Sequence, residues 1–185
     1  MALRSTIYKA DLQVADNDRR YYGSHSLILA RHPSETDERL MVRLLAFALQ
    51  ADADERLVFT RGLSEVDEPA LWRHDLTGAI TLWVETGLPD DRRLLKACGR
   101  AAKVIVYAYG HTAESWWAGV SSKLARARNL TVYGLPAAAT RELAALAERG
   151  MEVNVNVNDG VAWVSGASGE ATVEILPWRV RDGSA

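Results

Sequence analysis

The sequence predicts a mixed α/β (α+β) protein: a mixed central sheet flanked by helices, with a β-hairpin at each end of the chain. Three observations carry this. Thr6, Tyr8, Ala10, Leu12 and Val14 alternate with other residues, and Met151 to Asn158 alternates strictly between apolar and polar, the period of a strand with one wet face. Met41, Leu44, Leu45 and Ala48 recur instead at helical spacing. The middle of the chain reads as helix, three strands, helix, strand. At 185 residues, 48% hydrophobic and 25% charged, the composition is that of an average globular domain, and 1–185 is read as one. Such a length buries about 70% of the surface exposed when unfolded.

The first alternating segment reaches a polar turn at Asp16-Asn17-Asp18 and resumes at Ser26 to Ala30, which predicts the first hairpin. His32-Pro33 then stops the strand. Ser34 is the expected N-cap, with Asp37 closing a capping box, for a helix to about Gln50 with one buried stripe. Strands follow at Leu57 to Thr60, Ala70 to Arg73 and Ile80 to Val84, the last two joined at Asp75-Leu76-Thr77-Gly78. Gly87-Leu88-Pro89-Asp90 ends the sheet segment and caps a helix from about Asp91 to Ala102. Val104 to Tyr107 is apolar enough for a strand covered on both faces. A helix from Ala113 to Arg128, a strand from Leu130 to Tyr133 and a helix from Pro136 to Arg149 come next, with Gly150 as its stop. The terminal hairpin turns at Asp159-Gly160, and Val161 to Ser165 and Ala171 to Leu176 supply its further strands.

Bulk properties exclude several function classes. The single cysteine, Cys98, cannot form an internal disulfide, and the opening residues run into strand-like alternation without an apolar signal segment, so a cytoplasmic location is expected. No apolar run approaches the roughly 20 residues that span a bilayer, so no membrane partner is expected. His25, His32, His74 and His111 lack metal-ligand spacing, and GxSxG, P-loop and GxGxxG motifs do not occur. A net charge of −2 and a pI near 6.1 confine any nucleic-acid partner to a local basic patch.

One such patch is the helix after Asp90. It carries Arg92, Arg93, Lys96 and Arg100, followed by Lys103, with 92, 96, 100 and 103 on one stripe opposite Leu94, Cys98 and Ala101. A phosphate backbone is bound by this kind of array. Trp116-Trp117 ahead of Lys123 and Arg126 suggests base stacking, but Trp117, Val120 and Leu124 follow core spacing and read as packing.

An acidic constellation is the second candidate. If Asp75 and Gly78 are the first and fourth residues of their turn, counting outward along the hairpin places Glu68 opposite Glu85, and a one-residue shift brings in Asp67. Directly opposed carboxylates repel, and a divalent cation between them reverses that cost. Glu38 adds to the set, because it lies on the apolar side of its helix beside Met41, Val42 and Leu45.

These residues also carry a resemblance. Ile7-Tyr8-Lys9-Ala10, Ala30-Arg31-His32-Pro33-Ser34-Glu35-Thr36, Phe59-Thr60-Arg61-Gly62-Leu63, Asp67-Glu68-Pro69, Leu82-Trp83-Val84-Glu85 and Gly87-Leu88-Pro89-Asp90 resemble the YaeQ family along nearly the whole chain. The resemblance implies a restriction-endonuclease-like core of the PD-(D/E)XK type. It implies that Glu38 matches the first-helix acid, that Asp67 or Glu68 with Glu85 hold Mg²⁺ or Mn²⁺, and that the activity is phosphodiester hydrolysis on nucleic acid. Gly87 stands where that motif has lysine, so Lys96 is its expected substitute. The alternative is a nuclease-fold protein that has lost catalysis and serves as a nucleic-acid-binding or protein-interaction adaptor.

Overall fold

The computed structural model describes residues 4–180; the opening residues 1–3, part of the segment searched for a signal, lie outside the described residues. Among the described residues, two mixed sheets and four α-helices make up the fold. The first hairpin is β1 (Thr6–Asp16) and β2 (Tyr21–Arg31), and the alternating segment near the other end is β8 (Gly150–Asn158). These are not separate appendages. Lys9 to Asp16 of β1 pair in parallel with Gly150 to Val157 of β8, and β9 (Val161–Gly166) and β10 (Gly169–Glu174) complete a five-stranded sheet in the order β10-β9-β8-β1-β2. The odd residues of β8, Met151 through Val157, are its buried row, as their period requires.

The six-stranded sheet has the order β11-β7-β6-β5-β4-β3. It comprises β3 (Leu57–Phe59), β4 (Leu71–His74), β5 (Ile80–Thr86), β6 (Ala101–Ala108), β7 (Leu130–Gly134) and β11 (Leu176–Arg179). Strands β5, β6 and β7 run parallel, and Val104 to Ala108 of β6 are buried without alternation, as expected of a parallel strand covered on both faces.

Helix α1 (Asp37–Gln50) is capped two residues later than expected. Thr36 Oγ1 accepts from Arg39 N at 3.1 Å, while Ser34 Oγ is engaged with His32 Nδ1 at 2.6 Å. Every residue from Leu40 to Leu49 is buried, not one stripe, because α1 belongs to a core that takes side chains from both sheets and from α4 (Ala137–Ala144). On the other face of the six-stranded sheet a second core joins Trp83, Val104 and Val132 to Leu94 of α2 (Asp91–Arg100) and Ala113 of α3 (Ala113–Val120). Both α3 and α4 are shorter than their sequences suggest. The chain beyond each tightens into i→i+3 bonds, such as Ala127 N to Leu124 O and Ala147 N to Ala144 O. No helix among the described residues is long and apolar enough to cross a membrane.

Candidate functional site

Strand β5 carries its last residues into the interior, so Glu85 is only 5% exposed although it is acidic. Gly87, at φ +97°, turns the chain, and Asp90 caps α2 by accepting from Arg93 N at 2.7 Å. That turn folds the first turn of α2 back onto the strand. Arg93 Nε then donates to Glu85 Oε1 at 2.8 Å, and Trp83 Nε1 donates to the same oxygen at 2.9 Å. Both bonds fall on Oε1, while the residue borders a cleft of about 310 Å³ whose polar walls include Arg39, Glu68, Thr86 and Arg93 and whose rim includes Leu63, Val66 and Leu88. Arg39 is fixed there by Thr86, to whose Oγ1 it donates at 3.1 Å.

The register of the β4–β5 hairpin differs from the expected one. The turn itself is as read, with Gly78 N bonded to Asp75 O at 3.1 Å, but Asp75 N also bonds Ala79 O at 2.9 Å, so the loop holds three residues with Gly78 at φ +87°. A second irregularity after Arg73 shifts the pairing again, and Leu71 faces Val84. Glu68 therefore precedes β4 instead of opposing Glu85. Its carboxylate is held by Arg61, through the backbone N at 3.0 Å and the guanidinium at 2.7 Å. Glu38 goes elsewhere as well: its Oε1 accepts from Thr140 Oγ1 on α4 at 2.7 Å.

Each acid of the expected constellation thus has a protein donor of its own. Asp67, 75% exposed at its side chain, pairs with Lys96 Nζ at 2.7 Å. Arg61 draws the Glu68 carboxyl below the usual glutamate range, and the hydrogen bond and charge of Lys96 draw Asp67 down likewise. Among the described residues no three His, Cys, Asp or Glu side chains gather closely enough to hold a metal ion. The residues present do not fit a resident Mg²⁺ or Mn²⁺.

The cations are also distributed differently. Arg93, off the predicted stripe, is the one that enters the cleft, whereas Lys96 lies outside on an exposed face. Arg100 sits over the Trp83 ring at 4.9 Å and donates to Asp67 O at 3.2 Å. Arg92 is exposed, and Lys103 belongs to β6 because α2 ends at Arg100. Arg93 also donates through Nη2 to Glu68 O at 2.7 Å and through Nη1 to Val66 O. Trp116 is structural: its ring nitrogen donates to Pro89 O at 2.9 Å, and with Trp117 it packs against the second core. Sequence reasoning named Arg93 as a phosphate-binding cation but did not place it in the cleft, and it missed Arg39 there. Only the Arg93 to Glu85 spacing across a tight turn hinted at the first.

Burial pushes the Glu85 carboxyl above the ordinary glutamate value, and Arg93 and Trp83 offset part of that. A carboxyl raised in the folded state binds its proton more tightly there than when unfolded. Its contribution to stability is therefore complete below the ordinary value of about 4.3 and is lost as pH rises through the raised one. Glu85→Gln should gain on the wild type in urea midpoint as pH is raised from 4 to 7. A difference independent of pH would place no raised carboxyl at this position.

The family model for the YaeQ protein matches residues 1–175. The chain is 46% identical over 181 residues to the uncharacterized YaeQ proteins of Escherichia coli K12 and Salmonella typhi, covering 97% of this chain and 98% of each relative. The crystal structure of the YaeQ protein from Xanthomonas axonopodis pv. citri superposes with a TM-score of 0.91 at 48% identity, covering 95% of this chain and 99% of that one. The YaeQ protein from Pseudomonas syringae gives 0.90 at 36% identity, with 96% and 97% covered.

Proposed function

The chain belongs to the YaeQ family, and from the row of cations on α2 we propose that it binds the phosphate backbone of nucleic acid without hydrolysing it. One observation carries the reading. Arg93, Lys96 and Arg100 already grip a row of oxygen acceptors on an extended segment: Val66 O, Glu68 O, Asp67 Oδ1 and Asp67 O. A backbone of phosphates presents the same pattern of successive acceptors, with more charge on each. Exposed Arg92 extends the row at its N-terminal end. A pI near 6.1 makes such binding weak and confined to low ionic strength.

Anisotropy of a labelled 20-base-pair duplex at low salt tests this. Wild-type protein should bind, and the triple variant Arg92→Gln, Lys96→Gln, Arg100→Gln should bind at least about tenfold more weakly. Equal binding by the two would move the site away from α2.

The competing reading is a Mg²⁺- or Mn²⁺-dependent phosphodiesterase of the PD-(D/E)XK type. It is favoured by Glu85, a buried carboxyl with a raised proton affinity, bordering a cleft with Arg39 and Arg93. It is disfavoured by the donors that already occupy Glu38, Asp67 and Glu68. Cleavage of DNA or RNA that requires the ion and disappears in Glu85→Gln would replace the binding reading.

A further inference from the structure

We propose that the acidic segment from Gly62 to Glu68 is a strap that masks the cation row of α2 and is displaced when a phosphate backbone binds. The proposal rests on the reading of α2 as that backbone's site. Polar contacts join the strap to the helix: Arg93 to the carbonyls of Val66 and Glu68, Lys96 to the Asp67 carboxylate, and Arg100 to the Asp67 carbonyl. None of the strap's side chains from Gly62 to Glu68 is buried; Leu63 is 46% exposed and Val66 82%. Segments without buried apolar contacts are the ones that open locally at little cost.

The strap's ends are fixed and its middle is not part of either sheet. At one end Gly62 takes a φ of +57°, a left-handed conformation suited to a sharp turn, and at the other Pro69 is buried against β4's entry. Arg61 clasps the loop on itself through Glu65 at 3.0 Å and Glu68 at 2.7 Å. The strap can therefore lift without unravelling the sheet. Chemically it stands in for the ligand, since it offers α2 one carboxylate and three carbonyl oxygens. Its single charge on Asp67 is weaker competition than successive phosphates, and the exposed pair with Lys96 is screened by salt.

Two measurements on the full chain with the 20-base-pair duplex test the strap. Asp67→Asn should tighten binding about two- to fivefold, the range an exposed ion pair supports. In a Lys96→Gln background that gain should fall to less than half, because the Asp67 carboxylate is held by Lys96; a gain that persists undiminished would be long-range charge only and would overturn the proposal. Cleavage by a glutamate-specific protease after Glu65 should speed up when wild-type protein binds the duplex. Unchanged or slower cleavage by a protein that does bind, with binding lost in the α2 triple variant, would sink the strap and leave the α2 reading standing. Absence of binding by every form, Asp67→Asn included, would sink both.

Discussion

Glu35→Ala should lower folding stability by about 3 to 5 kcal/mol, the cost of leaving one member of a buried ion pair behind. Glu35 is 4% exposed and Arg43, inside α1, only 1%. Glu35 Oε1 accepts from Arg43 Nε at 2.7 Å and Oε2 from Arg43 Nη2 at 2.9 Å, a two-point clamp that Ala30 O extends by taking a further bond from the guanidinium. Burial pulls the Arg43 guanidinium down from its ordinary value and the Glu35 charge opposes that pull. Without Glu35 the cation has no carboxylate in the core. Urea denaturation measures the loss, and the double variant Glu35→Ala, Arg43→Met should recover part of it, because no buried charge then remains. A single-variant loss below about 1 kcal/mol would mean that water reaches Arg43.

Leu45→Ala should cost about 2 to 5 kcal/mol, the range for truncating a leucine in a packed core. Leu45 is 1% exposed on a helix whose core includes Leu12 and Val155 of one sheet and Leu82 and Ile105 of the other. Because that core is shared, the variant should still unfold in one transition. Far-UV circular dichroism and tryptophan fluorescence should give coincident midpoints. Separate midpoints would mean that the two sheets are stabilised independently.

The elements that could be read from the sequence were those set by local chemistry. Strict alternation in β8, the unbroken apolar run of β6 and the Asp90 cap each depend on neighbours in sequence, and each forms as expected. Pairing across long separations was not legible. Nothing in the alternation of β1 or β8 says that the two will pair in parallel and fuse the end hairpins into one sheet. The position of Glu68 depended on two small irregularities, the left-handed Gly78 and the bulge after Arg73, and together they moved it out of register with Glu85.

The candidate site was legible as a region more than as a set of roles. Glu85, the cationic helix and the acidic segment before β4 do meet, but the partners differ: Arg93 and not Lys96 reaches Glu85, and Lys96 reaches Asp67. Arg93 and Lys96, three residues apart on a helix, point about 60° apart, so which one enters a cleft depends on the helix's rotation about its axis. That rotation is fixed by Leu94 and Ala97 packing under the sheet, a tertiary fact. The burial of Arg43 was hidden for a similar reason, since its carboxylate partner lies outside the helix and eight residues away.

Salt titration of duplex binding tests the central claim most directly. Each phosphate neutralised by a lysine or arginine contributes about 0.9 to the slope of log K against log salt. With α2 as the contact face, the wild type should show a slope steeper by up to about 2.7 than the variant lacking the Arg92, Lys96 and Arg100 charges. Parallel lines of equal affinity for the two proteins would contradict it.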